Sequence, residues 1–150
     1  MNKLTLPSYE KLKADLEKPE LTLWDYINYR GDFELAAAFC KLFWPDFIEV
    51  EGCILLAAHY DPKSFEQWKQ KFEGDCEQIE LMMNHTHVYD LFLNCESSHL
   101  DRTVFEIIGQ TLLKCWLHAL REAFPDKQFK FTYATEPEEY GPTLSFYTEQ

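Results

Sequence analysis

The sequence predicts an α+β fold in a single domain over 1–150: a small, mostly antiparallel sheet of about four strands covered by several helices, with one long helix at 101–124 at its centre. Three observations predict it. Positions 103–124 are apolar around most of a helical circumference. Segments 128–133 and 143–148 alternate with a period of two. The first hundred residues string together short capped helical stretches around one β-branched segment at 47–60.

Taken in order, Ser8 is suited to cap a short helix over 9–17, which Lys18-Pro19 closes. Thr22 and Asp25 have capping-box spacing, with Asp in place of the usual Glu, and open a second helix that ends near Gly31. Asp32 caps a third over 33–43, where Leu35, Ala36, Phe39, Leu42 and Phe43 recur at helical spacing; Trp44-Pro45 stops it. Three short helices in succession predict a compact helical layer.

The pattern then changes. β-Branched residues at 47–60 flank Glu51-Gly52, which reads as a tight turn between two strands or as a glycine bulge within one bent strand. Two strands that join the C-terminal pair in one sheet are expected; a short buried helix over 53–59 is the rival reading, because periodicity alone does not separate short apolar runs. Asp61 before Pro62 is a strong helix start, since a capping acceptor precedes a proline that has no N–H to satisfy. That helix runs to about Phe72 and presents Phe65 and Trp68. Gly74-Asp75 restarts the chain, and Asp75 with Gln78 again resembles a capping box. The next helix is expected to continue to about Phe92, with Ile79, Met82, Met83, Val88, Leu91 and Phe92 inward. A polar connection over 94–100 follows.

Asp101 is placed to cap the long helix, in which only Arg102, Glu106, Gln110, Lys114 and Arg121 form a polar stripe. Such a helix spans roughly 30 Å, about the width of a small domain, and Pro125 ends it. Phe129, Phe131 and Tyr133 then share one strand face, and 143–148 forms a second strand. The simplest arrangement is an antiparallel pair packed on the long helix, with the loop between the strands outside.

Composition narrows the function. The 150 residues hold 26 acidic against 14 basic side chains, a net charge of −12. That charge disfavours nucleic acid and anionic membranes and steers a basic partner toward the chain. No run approaches the roughly 18 apolar residues of a membrane span, and the first residues lack a signal-peptide core. Five cysteines without a CxxC spacing match a reduced compartment, where cysteine acts as a small apolar residue. A cytoplasmic protein is expected, and nothing in the sequence sets its oligomeric state.

Candidates for chemistry are few. There is no HExxH, GxSxG or phosphate-binding glycine loop. In a helix, Glu80, His87 and Asp90 converge and offer a metal site; in a strand, His85 and His87 share a face instead. Neither matches a specific metal signature. Cys115 with His118 reads as a core cysteine near a partly exposed histidine, and Glu49 with Glu51 as charges on an edge strand. The loop between the last two strands places Glu136, Glu138, Glu139 and Tyr140 between two prolines, three carboxylates beside an aromatic ring on a stiffened segment.

Lack of a catalytic motif favours a non-catalytic interaction module that binds a basic protein partner through Glu136, Glu138, Glu139 and Tyr140. An inhibitor of a cationic nuclease or toxin is one form this would take, and the chain shares the size and charge of immunity proteins but no motif with them. The alternative is a metal-dependent enzyme or small-ligand-binding protein using Glu80, His85, His87 and Asp90. No cofactor is expected in the first case, and a divalent metal enters only in the second.

Overall fold

A computed structural model describes residues 4, 6–95, 102–135 and 141–149. The chain divides into two units, Met1–Cys40 and Lys41–Gln150. The class is α+β as expected, with helices and two small antiparallel sheets.

The first unit holds helix α1 (Pro7–Asp15), helix α2 (Leu23–Arg30) and most of helix α3 (Phe33–Phe43). α1 begins at Pro7 and not at Tyr9: proline with its fixed φ occupies the first helical position, and Leu6, not Ser8, stands at the cap. α2 opens on the expected capping box, in which Thr22 accepts from the Asp25 amide and Asp25 accepts from the Thr22 amide. Hydrogen bonds from the Thr22 hydroxyl and amide hold the Asp25 carboxyl below its ordinary value. Leu12 and Leu21 are the buried side chains here. Tyr9 bridges α1 and α2, donating its hydroxyl to the Leu21 carbonyl and meeting the Tyr26 ring edge-on at 5.6 Å.

The second unit starts with strands β1 (Phe47–Val50) and β2 (Cys53–Leu56), antiparallel in the register Val50↔Cys53. The two-residue turn reading of Glu51-Gly52 is correct: φ is +50° at Glu51 and +89° at Gly52, the two left-handed positions that a hairpin turn of this length needs. A single 3-10 turn, Ala57–His59, follows β2. Helix α4 (Pro62–Lys71) is capped by Asp61, which accepts from the Ser64 amide at 2.8 Å and its hydroxyl at 2.7 Å.

Helix α5 (Cys76–Met83) stops nine residues short of the expected end. Strand β3 (Thr86–His87) and a 3-10 turn (Tyr89–Phe92) take its place. Helix α6 (Arg102–Ala123) is the long helix; its proposed cap Asp101 lies outside the described residues. Strands β4 (Phe129–Ala134) and β5 (Thr143–Thr148) pair antiparallel from Phe129↔Thr148 to Ala134↔Thr143.

The strands do not form one sheet. Among the described residues β1 and β2 pair only with each other, and the second sheet has the order β3-β5-β4. The reason lies in α5. β2 turns its free edge toward that helix, and the side chains of Glu80 in α5 and Asn84 at its C-cap satisfy the edge in place of a strand. Glu80 accepts from the Ile54 amide at 2.6 Å, and Asn84 accepts from the Leu56 amide at 2.9 Å and donates to the Ile54 carbonyl at 3.0 Å. Four helical residues rise about 6 Å and two strand residues about 6.6 Å, so side chains at i and i+4 meet successive outward amides of a strand. The same two residues hold the other sheet: Glu80 accepts from the Thr148 amide at 2.5 Å and the Thr148 hydroxyl at 3.0 Å, and Asn84 donates to the Phe146 carbonyl at 3.3 Å.

β2 is buried on both faces, as its unbroken apolar run requires. Ile54 and Leu56 face a core with Phe105, Leu112, Trp116, Leu120, Leu144 and Phe146. Cys53 and Leu55 face a second cluster with Phe65, Ile79 and Met83. Each fully buried large side chain contributes roughly 1.5–3 kcal/mol relative to exposure. α6 meets the β4–β5 pair closely at Gly109, where a Cβ would lie 2.9 Å from the Tyr133 hydroxyl and 3.2 Å from the Pro142 Cβ.

Two of the five cysteines are joined. Cys53 in β2 and Cys76 at the start of α5 form a disulfide with Cα atoms 5.2 Å apart, which corrects the expectation of five reduced side chains. Cys40, Cys95 and Cys115 are free thiols. Among the described residues no helix is long and apolar enough to cross a membrane.

Candidate functional site

The acidic loop residues Glu136, Glu138, Glu139 and Tyr140 lie outside the described residues. The structure does fix where that loop leaves and rejoins the sheet. Ala134 and Thr143 are the last paired residues of β4 and β5, Arg102 donates to the Thr135 carbonyl, and Pro142 is buried.

Of the four residues proposed as metal ligands, the structure unites two. Glu80 is fully buried, and both its oxygens are engaged by the Ile54 and Thr148 donors described above. Burial pushes its carboxyl above the ordinary value, while those hydrogen bonds and the Lys127 charge pull the other way. Asp90 is exposed in the 3-10 turn after β3. His85 and His87 come together, with Nε2 atoms 3.1 Å apart and rings at 79°. They meet because 85–87 is extended, which places alternate residues on one face. Among the described residues there is no group of three or more His, Cys, Asp or Glu side chains placed to hold a metal ion.

The other carboxylate and cysteine candidates have ordinary surroundings. Glu51 sits in the hairpin turn, 2.5 Å from Lys69, and Glu49 is 3.8 Å from Lys127. Exposed pairs of this kind contribute little to stability. Cys115 is half-buried on α6 and His118 is exposed.

The feature that sequence reasoning missed is on α2 and α3. The periodic apolar residues of α3 were expected in a helical layer, yet α3 buries none of its side chains fully, and neither does α2. Trp24 is 83% exposed and Phe33 91%, and Leu23, Ile27 and Leu35 are also exposed. Leu23, Trp24 and Ile27 fall on one face of α2 by their i, i+1, i+4 spacing. Exposed acidic residues Glu20, Asp25, Asp32 and Glu34 alternate with this apolar stretch. The signal available in the sequence was the alternation itself: an apolar face interrupted by carboxylates at 25, 32 and 34 fits a dry core poorly.

No family model matches the chain, and neither a curated protein nor a solved structure matches it.

Proposed function

We propose that this protein is a non-catalytic interaction module that binds a basic protein partner. The observation that carries the reading is the exposed face of α2 and the first turn of α3, where Trp24, Ile27 and Phe33 stand in solvent among Asp25, Asp32 and Glu34. Large apolar side chains exposed together on a folded chain mark an interaction surface, and tryptophan is a leading anchor residue there. Carboxylates between the anchors select lysine- and arginine-bearing surfaces and repel acidic ones. The net charge of −12 acts at longer range in the same sense, speeding encounter with a cation and opposing self-association. The acidic loop that carries Glu136, Glu138, Glu139 and Tyr140 supplies further charge of the same sign.

The test is capture of partners from host lysate with two baits, wild type and the Trp24→Ala/Ile27→Ala/Phe33→Ala variant. The positions are exposed, and circular dichroism verifies that the variant is folded. One basic protein retained near one-to-one by the wild type, released by salt and absent from the variant, is the expected result. Identical sets on both baits, or an acidic partner, would overturn it.

A further inference from the structure

The two histidines brought together at β3 support an inference independent of the partner reading. We infer that His85 and His87 form a chelating pair for a borderline divalent cation of the Zn2+, Ni2+ or Cu2+ class. Imidazole nitrogen suits these ions, and they bind it at about 2.0–2.1 Å. Two nitrogens at that distance from one ion are separated by about 2.9 Å when they subtend a right angle and about 3.3 Å at a tetrahedral angle. The Nε2 atoms of His85 and His87 are 3.1 Å apart, within that span. As a hydrogen bond the contact holds one proton between the two Nε2 atoms; when a cation takes both lone pairs, the donor ring gives up that Nε2 proton to water and takes one at its Nδ1, so both imidazoles stay neutral.

The pair is built into the fold. His87 is paired with Thr143 of β5, and Thr86 with Leu144, so the backbone between the two imidazoles is fixed by the sheet. Asn84 and Thr86, on either side of His85, are buried, and the Thr86 hydroxyl donates to the Asn84 carbonyl at 3.1 Å. Two rings on a fixed strand lose little freedom on binding an ion, which is the advantage of a preformed site. His85 is exposed, so water completes the coordination of a bound ion.

The probe is the metal alone. Wild-type protein is titrated calorimetrically with Zn2+ and Ni2+, and its Cu2+ complex is examined by electron paramagnetic resonance. The same measurements are made on His85→Ala, on His87→Ala and on a His59→Ala/His118→Ala control. One ion per chain with two nitrogen ligands is expected. Losing the group that orients a metal ligand typically weakens binding about 10–100-fold, and each single replacement of a ligand itself is expected to cost at least as much. The control binds as the wild type does. Circular dichroism of each variant verifies that it is folded. Binding that persists in the folded His85→Ala/His87→Ala double variant, or a wild type that binds no tighter than that variant, would overturn the inference.

Discussion

Glu80 ties the two sheets together through one side chain. It is a buried carboxylate whose two oxygens receive backbone amides from β2 and β5. Replacing it with Gln keeps one acceptor but turns an amide nitrogen toward a backbone N–H, so a loss of about 1–3 kcal/mol is expected by denaturant unfolding. The pH dependence separates this from a simple packing defect. Burial raises the folded-state value of Glu80, so in that window the folded protein retains a proton that the unfolded chain has released. Its contribution to stability is therefore fully present below the ordinary glutamate range and lost as pH rises through the raised folded value. The difference in stability between wild type and Glu80→Gln should shrink with rising pH across that window; a constant difference would contradict the burial argument. Asp25 and Asp61, both held low by their capping hydrogen bonds, act with the opposite sign: their contributions are lost as pH falls. They cancel in the comparison.

At the scale of elements, local signals were legible and long-range ones were not. Thr22 with Asp25, Asp61 before Pro62, and Glu51-Gly52 each act within four residues, and each forms as the sequence predicts. The alternation of Phe129, Phe131 and Tyr133 likewise yields β4. The end of α5 was not legible, because Asn84 stops being a helical residue in order to reach Leu56, Ile54 and Phe146, which lie 28, 30 and 62 residues away. Splitting of the strands into two sheets has the same origin. The metal reading of Glu80 failed to anticipate this use of a carboxylate on an inner helical face, whereas the strand alternative for His85 and His87 is the geometry observed.

Two element-scale predictions follow from the close contacts. Gly109 is buried on α6: alanine there gains about 1 kcal/mol of helix propensity, but overpacking costs about 1–3 kcal/mol. Against Tyr133 and Pro142 the substitution should therefore be neutral to destabilising in thermal unfolding; a stabilised variant would mean that α6 does not approach β4 and β5 so closely. The Cys53–Cys76 disulfide closes a loop of 23 residues. By loop-closure entropy it stabilises the fold by about 3 kcal/mol. Thiol titration in denaturant should find three free thiols before reduction, and unfolding after reduction should need correspondingly less denaturant. Five thiols before reduction would contradict the link.

For the whole molecule, the described charge and exposure point outward. An acidic chain that leaves Trp24 and Phe33 in solvent is what the proposed role requires, in which a basic partner covers them. Composition made the chain's own charge legible; the exposed side chains of α2 and α3 were not, because α3 reads as an ordinary core helix until its neighbours are known. The most direct test is a binding isotherm of the captured basic partner against wild type and Trp24→Ala/Phe33→Ala, each at low and high salt. Anchor residues of this kind typically contribute about 2 kcal/mol or more, so the variant should bind about thirtyfold or more weakly. Salt should weaken both proteins by slowing association. Equal affinity for wild type and variant, unchanged by salt, would contradict the account.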